Sequence, residues 1–104
     1  MIRSKSNVAP YAASANAEIL VLGVPPSKTY RLLEVKLPAT SVNVCIITIK
    51  LNGVEKMQLI PSPSDNAYVV DEDLPGGSGL TAEIAITTAG TPIIGVTFLF
   101  DDGE

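Results

Sequence analysis

The residues able to do chemistry in this chain are few. Asp71, Glu72 and Asp73 form the densest run of carboxylates, and Asp101, Asp102 and Glu104 the next. Carboxylate oxygens hold hard cations such as Ca²⁺, and on a strand Asp71 and Asp73 share one face. No EF-hand spacing or calcium repeat frames them, so they read as a solvated strand end and no metal site is assigned. The single cysteine, Cys45, alternates with Ile47 and Ile49, which is the pattern of a small core side chain. The sequence contains no His. Cys45 therefore lacks an activating base, and the serines lack the partner that a Ser-His-Asp triad requires. Paired carboxylates also hydrolyse glycosides, but with no Trp and 5% aromatic residues little is left to line a sugar cleft. Tyr11, Tyr30 and Tyr68 are scattered and read as amphipathic boundary residues. The stretch PGGSG at 75–79 lacks the Lys-Ser/Thr and the following helix of a phosphate loop, so it reads as a glycine turn. No catalytic residue, cofactor or metal is expected.

The elements that position these residues follow a period of two, broken by turn chemistry. Strands are expected over 18–24, 29–37, 42–51, 54–60, 67–74, 80–88 and 93–100. In the second, Leu33, Val35 and Leu37 share a face opposite Glu34 and Lys36. Pro61 and Pro63 make 61–66 a loop, because proline donates nothing to a ladder. Residues 1–16 show no periodicity and read as an extended arm, with a short helix over 10–17 as the second reading. The expected organisation is an arm, 1–16, followed by a β-domain, 17–104. Short strands with Gly/Pro turns and no convincing helix make the fold class all-β. A single-domain antiparallel β-sandwich, jelly-roll-like, is preferred over an immunoglobulin-like Greek key.

The stretch VCIITIKLNGVEKMQLI, 44–60, is a hairpin around Asn52-Gly53, the strongest short signal for a type I′ turn. An unbroken two-residue register sets Lys50 against Glu55, Ile49 against Lys56, Ile47 against Gln58 and Ile46 against Leu59. Cys45, Ile47, Ile49, Leu51, Val54 and Ile60 then belong to the core, while Val44, Ile46, Met57 and Leu59 form an apolar patch on the other face. The last strand repeats the pattern, with Ile94, Val96, Phe98 and Phe100 inward and Ile93 and Leu99 outward. Such patches mark interfaces, so Ile46, Met57 and Leu59 are the expected subunit contacts. Cover by the arm or a loop is the other reading. Met57→Asp is expected to spare the fold and abolish assembly.

Composition supports association. The 104 residues are 46% hydrophobic and 17% charged, against about 25% charged in ordinary soluble domains. Net charge is −4 with seven scattered Lys and Arg, which argues against nucleic acid and anionic membranes as partners. No apolar run is long enough for a transmembrane helix, and the N-terminal stretch lacks the apolar region of a signal peptide. The expectation is synthesis in the cytoplasm without Sec export.

The stretches TYRLLEVKLPATSVNVCIITIKLNGV and VVDEDLPGGSGLTAEIAITTAGTPIIGVTFLF together resemble the small jelly-roll proteins that decorate the capsids of tailed bacteriophages and related viruses. The resemblance spans residues 29–100. It implies a non-enzymatic decoration protein on the virion surface, a trimer or other symmetric oligomer bound to the major capsid protein. It also implies an arm reaching toward the shell, for which Arg3, Lys5 and Tyr11 are the expected contacts. A carbohydrate- or receptor-binding sandwich module of a virion fibre is the alternative, and an enzyme ranks third.

Overall fold

Eight strands and one turn of 3-10 helix, Ala39–Ser41, organise the computed structural model, which describes residues 1–12, 16–41, 44–62 and 66–104. The strands are β1 Ile2–Pro10, β2 Asn16–Gly23, β3 Tyr30–Lys36, β4 Cys45–Leu51, β5 Val54–Leu59, β6 Ala67–Leu74, β7 Gly79–Ile86 and β8 Ile93–Asp101. They form two antiparallel four-stranded sheets, ordered β1-β8-β3-β6 and β2-β7-β4-β5.

The pairings have a simple origin. β1 with β8, β2 with β7, β3 with β6 and β4 with β5 are the rungs of one long ribbon folded back on itself. The β4–β5 hairpin is its tip. Wrapping that ribbon around a core brings β8 beside β3 and β7 beside β4. The inward faces meet in one apolar cluster that includes Leu32, Val35, Ile47, Ile49, Leu80, Ile84, Ile94 and Phe98. Tyr30 stacks on Phe100 at its end, with ring centroids 5.1 Å apart.

The expected strands are present, with one addition. The first segment is a strand rather than an arm: β1 pairs with β8 along its whole length, from Ile2 opposite Asp101 to Pro10 opposite Ile93. Its sequence hides this because the usual alternation is inverted. Opposite the buried Phe100, Phe98, Val96 and Ile94 stand Arg3, Lys5, Asn7 and Ala9, while Ile2 and Val8 face outward. The short helix over 10–17 is not formed at its ends, where Pro10 closes β1 and Asn16 and Ala17 open β2. Residues 13–15, 42–43 and 63–65, which fall in that helix, in the expected strand 42–51 and in the proline loop, lie outside the described residues.

Bulges overturn three expectations of parity. Along β5, Lys56 is an extra residue, so Met57 pairs with Ile49 and Leu59 with Ile47. A one-residue insertion moves every later side chain to the other face. Leu59 is therefore in the core, 5% exposed, and Met57 packs half-buried against it. Ile60, expected in the core, is 62% exposed; Val54 keeps its expected partner Leu51, ahead of the bulge, and is 65% exposed because it sits at the hairpin tip on an edge strand. Along β3, Leu33 is extra relative to β8, so Leu32 and Val35 are both buried and Leu33 is not. Across from Leu33, β6 carries two residues, Val70 and Asp71, and Asp71 takes the left-handed conformation at φ 56°. Asp tolerates that conformation better than most residues. In β2, Ile19 is extra, and both Ile19 and Leu20 are buried.

Candidate interaction surface

The two sheets show different outer faces. On the sheet that contains the hairpin, Ile46, Thr48 and Lys50 stand beside Ala85, Glu83 and Thr81. Lys50 Nζ lies 2.7 Å from Glu83 Oε2. This contact, with Glu55 and Glu18 nearby, holds the Lys50 ammonium above its ordinary pKa. Thr48, Glu83, Ile84 and Ala85 line a shallow hollow of ≈ 240 Å³. The face is polar through its middle and apolar at one end, at Ile46 and Ala85.

The outer face along β1 and β8 is different. From Ser4 to Pro10 the outward residues are Ser4, Ser6, Val8 and Pro10, opposite Leu99, Thr97, Gly95 and Ile93. None of these eight carries a charge. Val8 and Ile93 are 52% and 47% exposed, while at the other end the exposed Ile2 stands opposite Asp101, which pairs with the Met1 amine. Ile2, Val8 and Ile93 are three of the eight large apolar side chains exposed among the described residues, on two adjacent strands. The outward placement of Ile93 and Leu99 was legible in the sequence. The contribution of β1 was not, because its apolar residues are few and face away from the core.

The expected subunit contacts do not share a surface. Ile46 is half-buried on the outer face, whereas Leu59 is core and Met57 leans against the core. Met57→Asp would put a carboxylate into that packing, so the expectation that it spares the fold is withdrawn. Of the three expected arm contacts, Arg3 and Tyr11 are engaged within the chain. Arg3 Nε donates to the Asp102 carboxylate, whose side chain is 5% exposed. This bond, aided by the Glu104 backbone N–H and the Met1 amine, holds the Asp102 carboxyl well below the usual carboxylate range. Tyr11 packs against the core, and its hydroxyl accepts a bond from Asn7 Nδ2 at 3.1 Å. Lys5 stays exposed on β1 and makes no ion pair among the described residues.

Polar groups elsewhere close the sandwich. Asn7 Nδ2 donates to the carbonyl of the bulged Ile19 at 2.6 Å, joining β1 to β2. On the opposite flank Lys56, the extra residue of β5, reaches Glu72 of β6 at 3.1 Å. Arg31 spans Asp71 and Asp73 at 2.6 and 3.0 Å. The guanidinium holds the Asp71 carboxyl below its ordinary value. The acidic run therefore works as an ion-paired strand, with Arg31 and Lys56 as its counter-charges. Cys45 is 2% exposed, and burial pushes its thiol up to about 11, so it is protonated and inert at neutral pH. No protein-family model, no curated protein and no solved structure matches the chain.

Proposed function

We propose that this chain is a non-enzymatic structural protein, a jelly roll that assembles as a symmetric oligomer on a viral capsid lattice and stabilises it. The strand orders β1-β8-β3-β6 and β2-β7-β4-β5 support the jelly-roll reading, since a folded-back eight-strand ribbon wrapped into two sheets produces this order. The observation that carries the adhesive role is the uncharged outer strip formed by Ser4 to Pro10 of β1 and Ile93 to Leu99 of β8, with Val8 and Ile93 exposed. Apolar surface removed from water there contributes roughly 25 cal/mol per Å², and no charge has to be desolvated along the strip from Ser4 to Pro10. In this reading the major capsid protein covers that face, in place of the arm contacts the sequence suggested.

The test begins with mass spectrometry of purified particles from the source. Co-sedimentation with capsid shells lacking the chain follows, alongside light scattering of the chain alone. Wild type should pellet with the shells. Val8→Asp and Ile93→Asp should keep the wild-type circular dichroism and lose most of that binding. Absence from particles, failure to pellet, or glycan-array binding without shell binding would each overturn the proposal, the last in favour of a carbohydrate-binding module.

A further inference from the structure

Four strands end the two sheets: β1 and β6 in one, β2 and β5 in the other. An open edge is a template for another strand, and proteins blunt it with bulges, charges or short length. Three of these edges are blunted. β6 carries Asp71, Glu72 and Asp73 and the left-handed Asp71. β5 has six residues and the Lys56 bulge. β2 has the Ile19 bulge. β1 is blunted least: its charges are Arg3, neutralised by Asp102, and the inward Lys5, and Pro10 ends it. It runs nine residues with no shift in its register against β8, it is exposed along most of that length, and its outward side chains are uncharged.

We propose that β1 pairs antiparallel with β1 of a second copy about a two-fold axis at Ser6, joining two four-stranded sheets into one of eight strands. The inference rests on the reading of the chain as an assembling protein and names the partner for the edge of that same region. An axis perpendicular to the sheet keeps inward residues inward in both copies. Ser6 then meets Ser6, Ser4 meets the second copy's Val8, and Ile2 meets its Pro10. On the inward side Lys5 meets the second copy's Asn7, and Arg3, already neutralised by Asp102, meets its Ala9. No like charges are directly opposed. Moving the axis one residue, to Lys5, sets Lys5 against Lys5, which is unfavourable. Lys5 thus disfavours the register centred on itself.

The area sets the strength. Nine residues span roughly 30 Å, and with the molecule's smallest extent of 20 Å the edge strip is on the order of 600 Å² per copy. That is below the roughly 800 Å² per partner of a stable standard interface, so the dimer depends on concentration.

Ser6→Cys tests the axis, because residues directly opposed across an antiparallel pair are about 4.5–5.5 Å apart at Cα, within disulfide reach. Ser4→Cys is the control, since the same register separates its two copies by roughly 14 Å. Cys45 is buried and does not compete. Wild-type mass by light scattering should rise from 10.9 kDa toward twice that value with concentration. Under mild oxidation Ser6→Cys should cross-link at least ten-fold faster than Ser4→Cys. Equal rates, or a wild type that stays monomeric at millimolar concentration, would overturn the two-fold pair. A trimer that pellets with shells but leaves Ser6→Cys unlinked would overturn it too, while sparing the proposed function. A linked dimer that ignores shells would uphold the pair and sink that function.

Discussion

Val8 of β1 lies so close over Gly95 of β8 that a β-carbon on Gly95 would come within 2.5 Å of Val8 Cγ2 and 2.9 Å of the Asn7 carbonyl. Gly95 also donates its N–H to the buried Ser41 Oγ at 3.1 Å. The missing side chain is what lets the edge strand seat on the sheet. Gly95→Ala should cost about 1–3 kcal/mol, the usual range for overpacking. The loss should appear in urea unfolding and as faster amide exchange along β1. Adding Val8→Ala should recover part of it, because the Asn7 carbonyl would still crowd the new methyl. Unchanged stability would mean that β1 does not seat this closely.

The bulge at Lys56 makes a paired prediction. Leu59→Ala removes a core side chain and should cost about 2–5 kcal/mol. Ile46→Ala removes a half-buried one from the outer face and should cost under about 1 kcal/mol. Chemical denaturation of the two variants decides between registers, since an unbulged hairpin would place both residues outside and make both substitutions mild.

Asp102 links the start of β1 to the C-terminal segment through Arg3. Its folded pKa is depressed, so it adds stability above the unfolded value of about 3.9. That contribution is lost as pH falls through the folded value. Asp102→Asn should therefore lower the urea midpoint most above about pH 5, and the gap from wild type should close in strong acid. A gap independent of pH would show that the carboxylate's charge is not what matters.

Asn52 and Gly53 have φ of 52° and 79°, the two positive values that a type I′ turn requires. The Asn52 side-chain oxygen also accepts from the Gly79 N–H at 3.0 Å, fastening the hairpin tip to the start of β7. Gly53→Ala should cost roughly 1 kcal/mol from its backbone conformation alone. Asn52→Ala should cost at least as much, because it loses both tolerance of that conformation and the hydrogen bond. Thermal melts of both variants, with Asn52→Gly as the control that restores the backbone, test the assignment.

Much of the sheet was readable because period-two alternation is a local property. Leu80, Ala82 and Ile84 are buried as their spacing requires, and so are Ile94, Val96, Phe98 and Phe100. The candidate surface was readable only in part. Ile93 and Leu99 were expected on an outer face, but the partner strand that completes the face, β1, has Arg3, Lys5 and Asn7 on its inward side and carries no alternation to detect.

The sequence by itself determined that this is an all-β chain with an Asn-Gly hairpin, a buried thiol and no histidine to work with. Those properties are written in residue types and short spacings. Only the tertiary structure decided that Leu59 is core while Ile60 is not, that the first ten residues close a sheet, and that Arg31 and Lys56 answer the acidic run. The physical reason is that a strand's face depends on its register against a neighbour. One extra residue, such as Lys56 or Leu33, reverses that face, and nothing in the strand's own sequence announces it.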